Sequence, residues 1–286
     1  LQENDEDLLP RSDGPRADAT RHASEPADGY GEIAPPPALR DSVVSLWEMR
    51  LPALAGPARV RILPNACVDV VLYASDPSQG EGLAAAVAPP HRSYVVGSTL
   101  RSFIVRSVGW RHVVGASLRP EGVEPILGLP AAVIGESVAL LDDVLGGEAG
   151  RIEARVLDGP AESALGRLAE VLLERRRGRD PDAAAHRAVE LVRRADGRVR
   201  IDALAAGLNT SPRKLERQFL AHVGMSPKLF ARLVRFDRAV RDLAHRGTAT
   251  WAQFAVAHGY ADQAHFINEF REFAGVTPGE FEREAI

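Results

Sequence analysis

Asn209 to Pro227 (NTSPRKLERQFLAHVGMSP) and Tyr260 to Pro278 (YADQAHFINEFREFAGVTP) align without gaps at an offset of 51 residues. A unit that recurs at a fixed period is a supersecondary structure used twice, so any fold for this chain must accommodate two copies of it. Each matched position has a physical reason. Ser211 and Asp262 are preferred helix N-caps, because a side-chain oxygen can accept from the first free backbone N–H groups. Pro212 suits the first helical position, where a missing donor costs nothing. Leu215 with Phe219, and Phe266 with Phe270, stand at i and i+4 and anchor one face of a helix, leaving the other face free. Gly224 and Gly275 fall where a left-handed residue ends it, ahead of Ser226-Pro227 and Thr277-Pro278.

A short apolar helix precedes each cap, IDALAAGL (Ile201 to Leu208) and WAQFAVAH (Trp251 to His258). Small Ala205 and Ala255 permit close helix approach, and Asn209 and Gly259 between the helices tolerate positive φ. Short helix, tight turn and capped second helix predict helix-turn-helix units over about 201–222 and 251–273, joined by a helix over about 227–245. Charge supports the same region. The chain as a whole is acidic, net −4, yet Arg198 to Arg246 carries 11 Arg and Lys against 4 Asp and Glu. A basic stretch inside an acidic protein is the electrostatic footprint of a nucleic-acid binder.

Upstream the pattern changes. Residues 1–31 are rich in Asp, Glu, Pro, Ser and Ala without apolar periodicity and are expected to be disordered. From about residue 32 to 178, short β-branched runs (RVRILP, CVDVVLY, SYVVG, RSFIVRSV, HVVGASL) are separated by Gly, Pro, Ser and Asp, which predicts a mostly antiparallel, barrel-like β domain. Helices are expected at Glu121 to Leu129 and Pro160 to Arg177, trailing the strands. The polar stretch GRDPD, Gly178 to Asp182, marks the boundary to an all-α domain over 183–286. The expected class is therefore α+β in two domains.

SPRKLERQF, GMSPKLFARLVRFDRAV and HGYADQAHFINEFREFAGVTPGEF, together spanning about Val199 to Phe281, resemble the DNA-binding domain of the AraC/XylS family of bacterial transcription regulators. That resemblance implies two recognition helices entering successive major-groove segments on one face of a duplex, about 34 Å apart. It also places Arg217 where family members often carry a base-contacting arginine, and Asn268, its repeat equivalent, where they often carry a basic residue. Pro35 to about Gly146 resembles a poorly characterised β-rich domain found in front of this module, through ILPNACVDVVLY, VVGS and GASLRPEGVEPILGLPAAVIGES. Asn65-Ala66, Leu118 and Glu121 depart from that domain's usual pattern.

The residues expected to meet DNA are Ser211, Arg213, Lys214, Glu216 and Arg217 in the first unit and Gln263, Ala264, His265 and Asn268 in the second. A guanidinium can bind guanine bidentately, and Asn or Gln can do the same to adenine. Glu269 and Glu272 are unexpected on a helix approaching a polyanion, and the second helix is weighed between polar base contacts and mere packing. Arg232, Arg235, Arg238 and Arg241 along the joining helix divide between phosphate contacts and internal pairs with Asp237 or Asp242. Trp47, Cys67, Tyr73 and Arg119, with Tyr94, Phe103 and Trp110 nearby, are candidates for an effector pocket. For each aromatic, core packing is the first expectation, and for Cys67 a small buried apolar role.

The single cysteine excludes an intramolecular disulfide, and His91 and His112 lack metal-ligand spacing. No phosphate-binding glycine loop or nucleophile elbow is present, so neither cofactor nor metal nor catalysis is expected. The alternative is a small-molecule-processing enzyme domain fused to a DNA-binding module. The expected partners are double-stranded promoter DNA, a small-molecule effector, a second copy of the chain and RNA polymerase. Without a continuous apolar span or a basic-then-apolar leader, a cytoplasmic location off the membrane is expected.

Overall fold

The computed structural model describes residues 29–50, 58–73, 93–107, 112–160, 163–176 and 178–284. The segment expected to be disordered lies outside these residues as far as position 28. Its last three positions instead open strand β1 (Gly29–Ile33), which pairs with β2 (Val43–Arg50) so that Tyr30 faces Met49 and Glu32 faces Trp47. The cause is a partner that no local pattern announces: Tyr30 stacks on Trp47 with ring centroids 6.2 Å apart.

The remaining strands are β3 (Ala58–Ile62), β4 (Val68–Tyr73), β5 (Ser93–Val96), β6 (Phe103–Ser107), β7 (His112–Leu118) and β8 (Val138–Leu140). Of the eight strands among the described residues, six form an open antiparallel sheet in the order β1-β2-β7-β4-β5-β8, and β3 and β6 pair separately as a two-stranded ribbon. Alternation decides the faces. Val68, Val70 and Leu72 of β4 point to one side, with Val95, Val114 and Leu118. There they meet five helices: α1 (Val123–Leu127), α2 (Ala131–Ile134), α3 (Leu141–Leu145), α4 (Glu148–Leu157) and α5 (Ala164–Arg176). Val71, Tyr73, Tyr94, Val96 and Val113 line the other side with Trp47 and Met49. Three helices, α2, α3 and α4, stand between the two that the sequence suggests. The glycines at 135, 146, 147 and 150 interrupt the 3.6-residue periodicity by which α2, α3 and α4 would otherwise have been visible.

The second domain is helical throughout its described residues: α6 (Ala183–Arg194), α7 (Ile201–Gly207), α8 (Pro212–His222), α9 (Pro227–Leu243), α10 (Trp251–Ala257), α11 (Gln263–Ala274) and α12 (Pro278–Glu284). One core runs through it, from Val189 and Val192 of α6 to Phe219, Phe230, Phe236, Phe266, Phe270 and Phe273. Full burial of each such side chain contributes about 1.5–3 kcal/mol over leaving it exposed. Ala66, Leu63 and Leu100 of the first domain pack against this same core.

Candidate nucleic-acid interface

Both recognition helices start on the caps their sequences predict. Ser211 Oγ accepts from the Lys214 N–H at 3.2 Å, and Asp262 Oδ1 from the His265 N–H at 2.8 Å. Asn209 and Gly259 in the two turns adopt φ of 51° and 75°. A Cβ on Gly259 would stand 2.5 Å from Arg198 Cδ, so a larger residue in the turn of the second unit would require that side chain to move. Ser226 starts α9 in the same way, and Thr250 with Gln253 forms a full capping box at α10.

In α8, Leu215 and Phe219 are buried, which turns Arg213, Arg217 and Leu220 outward in one stripe with Lys214 and Glu216 on its flanks. Ser211 is exposed at the head of the stripe, and its hydroxyl hydrogen remains available to a phosphate oxygen while its lone pair serves the cap. In α11 the buried set is Phe266, Glu269, Phe270, Phe273 and Ala274. Its exposed stripe is therefore Ala264, Asn268 and Arg271, flanked by Gln263, His265 and Glu272. The two stripes are in register through the repeat: Arg213 with Ala264, Arg217 with Asn268, Leu220 with Arg271. Sequence reasoning overlooked Arg271 and Leu220; continuing the i, i+3, i+4 spacing one more turn from the caps finds both. His265 is half committed elsewhere, its Nδ1 accepting from the Ala261 N–H at 3.3 Å and its ring edge-on to Tyr260.

Glu269 corrects the sequence reading. It is 4% exposed and faces inward, where Arg232 Nε donates to it at 2.7 Å and Arg235 Nη2 at 3.0 Å. Arg232 also reaches Glu272 at 2.6 Å and lies over the Phe273 ring, while Arg235 lies over the Tyr260 ring. Burial opposes the charge on Arg232, but its bonds to Glu269 and Glu272 outweigh that and leave it more basic than usual. The carboxylate that looked misplaced on a DNA-facing surface thus fastens α11 to α9. The other arginines of α9 are also engaged internally: Arg238 with Asp242 and Arg241 with Asp237, each at 2.7 Å. Asp242 additionally accepts from His258 at 3.1 Å; desolvation works against its ionisation, yet the bonds from Arg238 and His258 hold its carboxyl below the usual range. Arg246 pairs with Glu282 at 2.9 Å and covers Trp251.

The four candidate pocket residues do not form one site. Trp47 and Tyr73 lie on the face of the sheet that, among the described residues, no helix covers, hereafter the helix-free face. Trp47 occupies the space that a side chain on Gly115 would need, and Tyr73 packs edge-on against Tyr94 at 5.5 Å, buried deeply enough to raise its phenol pKa. Arg119 is instead a strut between domains, donating to Glu190 at 2.7 Å and to the Arg40 carbonyl at 2.8 Å. Cys67 is buried at the same boundary beside Arg193, its carbonyl accepting from Ser98 Oγ at 3.1 Å. The Arg-Pro element leads there because Pro120 begins a 3-10 turn that buries Glu121 against His186 of α6, at 3.4 Å. The Glu121 carboxylate beside it raises the imidazole pKa against the opposing effect of burial. Phe103 borders the helix-free face, whereas Trp110 and His91 lie outside the described residues. Among the described residues no His, Cys, Asp and Glu cluster could hold a metal ion, and no helix is long and apolar enough to cross a membrane.

Comparison with known proteins places two families on the chain. A helix-turn-helix domain matches residues 204–284, and a domain of unknown function (DUF6597) matches residues 31–139. The HTH-type transcriptional regulator MtrA of Neisseria gonorrhoeae is 29% identical over 84 residues, 29% of this chain and 28% of that protein. The chain thus spans little more than a quarter of the length of that curated relative. Among solved structures, an AraC-type DNA-binding domain-containing regulator from Chromobacterium violaceum is similar at 25% identity and a TM-score of 0.33, over 35% of this chain and 90% of that one. ToxT from Vibrio cholerae aligns over 82% of this chain and 95% of its own, at 12% identity and a TM-score of 0.43.

Proposed function

We propose that the chain is a transcription regulator of the AraC/XylS family that binds promoter DNA sequence-specifically through its double helix-turn-helix domain, with α8 as its main reading helix. The observation that carries this reading is the stripe of Arg213 and Arg217 on a capped helix, matched in register by Ala264, Asn268 and Arg271 on α11. Arg217 and Arg213 would contact guanine O6 and N7, each good bidentate pair giving about 1–3 kcal/mol of base discrimination. Lys214, Ser211 and the Arg213 N–H at the start of α8 suit flanking phosphates. In the second unit Asn268 and Gln263 offer adenine-type pairing, Arg271 a guanine or phosphate contact, and Ala264 and Leu220 apolar contact with thymine methyl groups.

In this reading residues 29–176 form the regulatory domain and 183–284 the DNA-binding domain. An effector would meet the aromatic face bearing Trp47, Tyr73 and Tyr94, with Arg119 and Cys67 passing its effect to α6. Self-association and contact with RNA polymerase are further parts of the proposal that follow from regulation at promoters. The test is to map the sites that the protein occupies across its host genome and measure binding to them by fluorescence anisotropy across salt concentrations. A log-log salt slope of several units and strong preference for the mapped sites are expected. Equal affinity for mapped and scrambled duplexes would refute sequence-specific reading.

A further inference from the structure

The two recognition helices end at repeat-equivalent glycines, Gly224 and Gly275, and a different part of the N-terminal domain meets each one. At Gly275 the contact comes from the β3–β6 ribbon. The Ser102 N–H donates to the Phe273 carbonyl at 2.8 Å, the Ser102 hydroxyl to the Ala274 carbonyl at 2.6 Å, and Arg61 Nη1 to that same carbonyl at 3.1 Å. A Cβ on Gly275 would stand 3.1 Å from Ser102 Oγ. At Gly224 the contact comes from α2, where a Cβ would stand 3.1 Å from the Ala132 nitrogen and 3.2 Å from its Cα. Beside it, His222 of α8 faces Glu124 of α1 at 3.8 Å.

The last carbonyls of a helix lack intrahelical partners and carry the negative end of its dipole, so a guanidinium and a hydroxyl aimed at them restrain that end. Within the DNA-binding domain the two units are linked through α9, which packs Phe230 on Phe219 at one end and Phe236 on Phe270 at the other. The N-terminal domain is a second link between the same two helices, reinforced where Leu63 and Leu100 join the helical core.

We propose that the N-terminal domain is a brace that grips both recognition helices by their C-terminal ends and sets their separation and angle, with Arg61 and Ser102 as positioning residues for α11. The proposal rests on the DNA-reading function above. Two reading helices on a stiff frame reach a high effective concentration at one spacing of their half-sites and lose it at others. Anything that shifts the N-terminal domain would then change which spacing is accepted, while leaving the reading of each half-site intact.

The experiment compares the full chain with its Arg61→Ala/Ser102→Ala variant. The DNA is a mapped site, the same site with one base pair inserted or deleted between its halves, and each half alone. The unmodified chain should bind the shifted duplexes at least about tenfold more weakly, and the variant no more than about threefold more weakly, with binding to single halves unchanged. Arg61→Lys/Ser102→Thr, which keeps both donors, should restore the discrimination. Hydrogen exchange without DNA gives a separate readout: the amides of 99–104 and 270–277 should exchange faster in the Ala variant. Unchanged spacing discrimination in a variant that still binds single halves overturns the brace, and so does unchanged exchange. If the unmodified chain prefers no sequence, the DNA-reading function fails, and the exchange result alone decides whether the ribbon holds α11. Ser102→Ala by itself is the milder variant if melting shows that the double substitution unfolds the domain.

Discussion

The two helix-turn-helix units share a backbone plan and differ in where their charge goes. In the first, Arg213, Lys214 and Arg217 are exposed on α8, and no ion pair links them to the described residues. In the second, the exposed stripe holds one cation, Arg271, and Glu269, whose carboxylate would repel a polyanion if it faced outward, is turned inward onto Arg232 and Arg235. The basic count over Arg198 to Arg246 therefore overstates the charge available to a ligand along α9 and understates how far it concentrates on α8. Net charge of a segment is a statement about composition; the field a partner meets depends on which charges are already compensated.

That contrast can be broken most severely at Glu269. Glu269→Ala would leave two largely buried guanidiniums without their shared carboxylate and should cost about 3 kcal/mol of stability. Urea unfolding measures it, and a cost under about 1 kcal/mol would mean that α11 is held by its phenylalanines alone. Next in size is Arg217→Ala, which should lose about 1–3 kcal/mol of discrimination at one base pair. Competition binding against single-base variants of a mapped site reads this out. Asn268→Ala at the equivalent place should cost under about 1 kcal/mol in the same assay; equal losses at the two positions would show the units to be equivalent readers. Asn268→Arg should make the second unit more like the first, raising affinity for all sequences and steepening the salt slope by about one unit.

The smallest effect concerns pH. The pKa of His186 is raised in the folded protein by Glu121, so its contribution to interdomain stability is fully present below the unfolded value of about 6.5 and is lost as pH rises through the folded value. The melting temperature of the interdomain contact should therefore fall as pH rises above about 6.5, and His186→Gln should flatten that dependence. The charged side chains facing the imidazole in this region are Glu121, Glu190 and Arg119.

Much of the interface was legible because its rules are local. Ser211, Asp262, Asn209, Gly259, Gly224 and Gly275 each act within a turn or two of their own position, and each does in the structure what its residue type requires. Arg213, Arg217 and Asn268 could be placed on an outer face from the Leu215/Phe219 and Phe266/Phe270 anchors. The effector candidates were harder to place. Trp47 and Tyr73 share a sheet face, but Arg119 and Cys67 follow the chain into the domain boundary, and strand alternation alone does not say what packs against a strand's end.

The sequence by itself determined that this chain repeats a capped helix-turn-helix, where each helix starts and stops, and which side of α8 is basic. Only the tertiary structure decided that Glu269 is an internal fastener, that the arginines of α9 are engaged within the domain, and that Ser102 and Arg61 cap a helix from another domain. The reason is distance along the chain. Caps and helix faces are set by neighbours three or four positions away, whereas Arg232 meets Glu269 across 37 residues and Ser102 meets Ala274 across 172. Pairings of that separation are fixed when the core closes, and no short-range pattern encodes them.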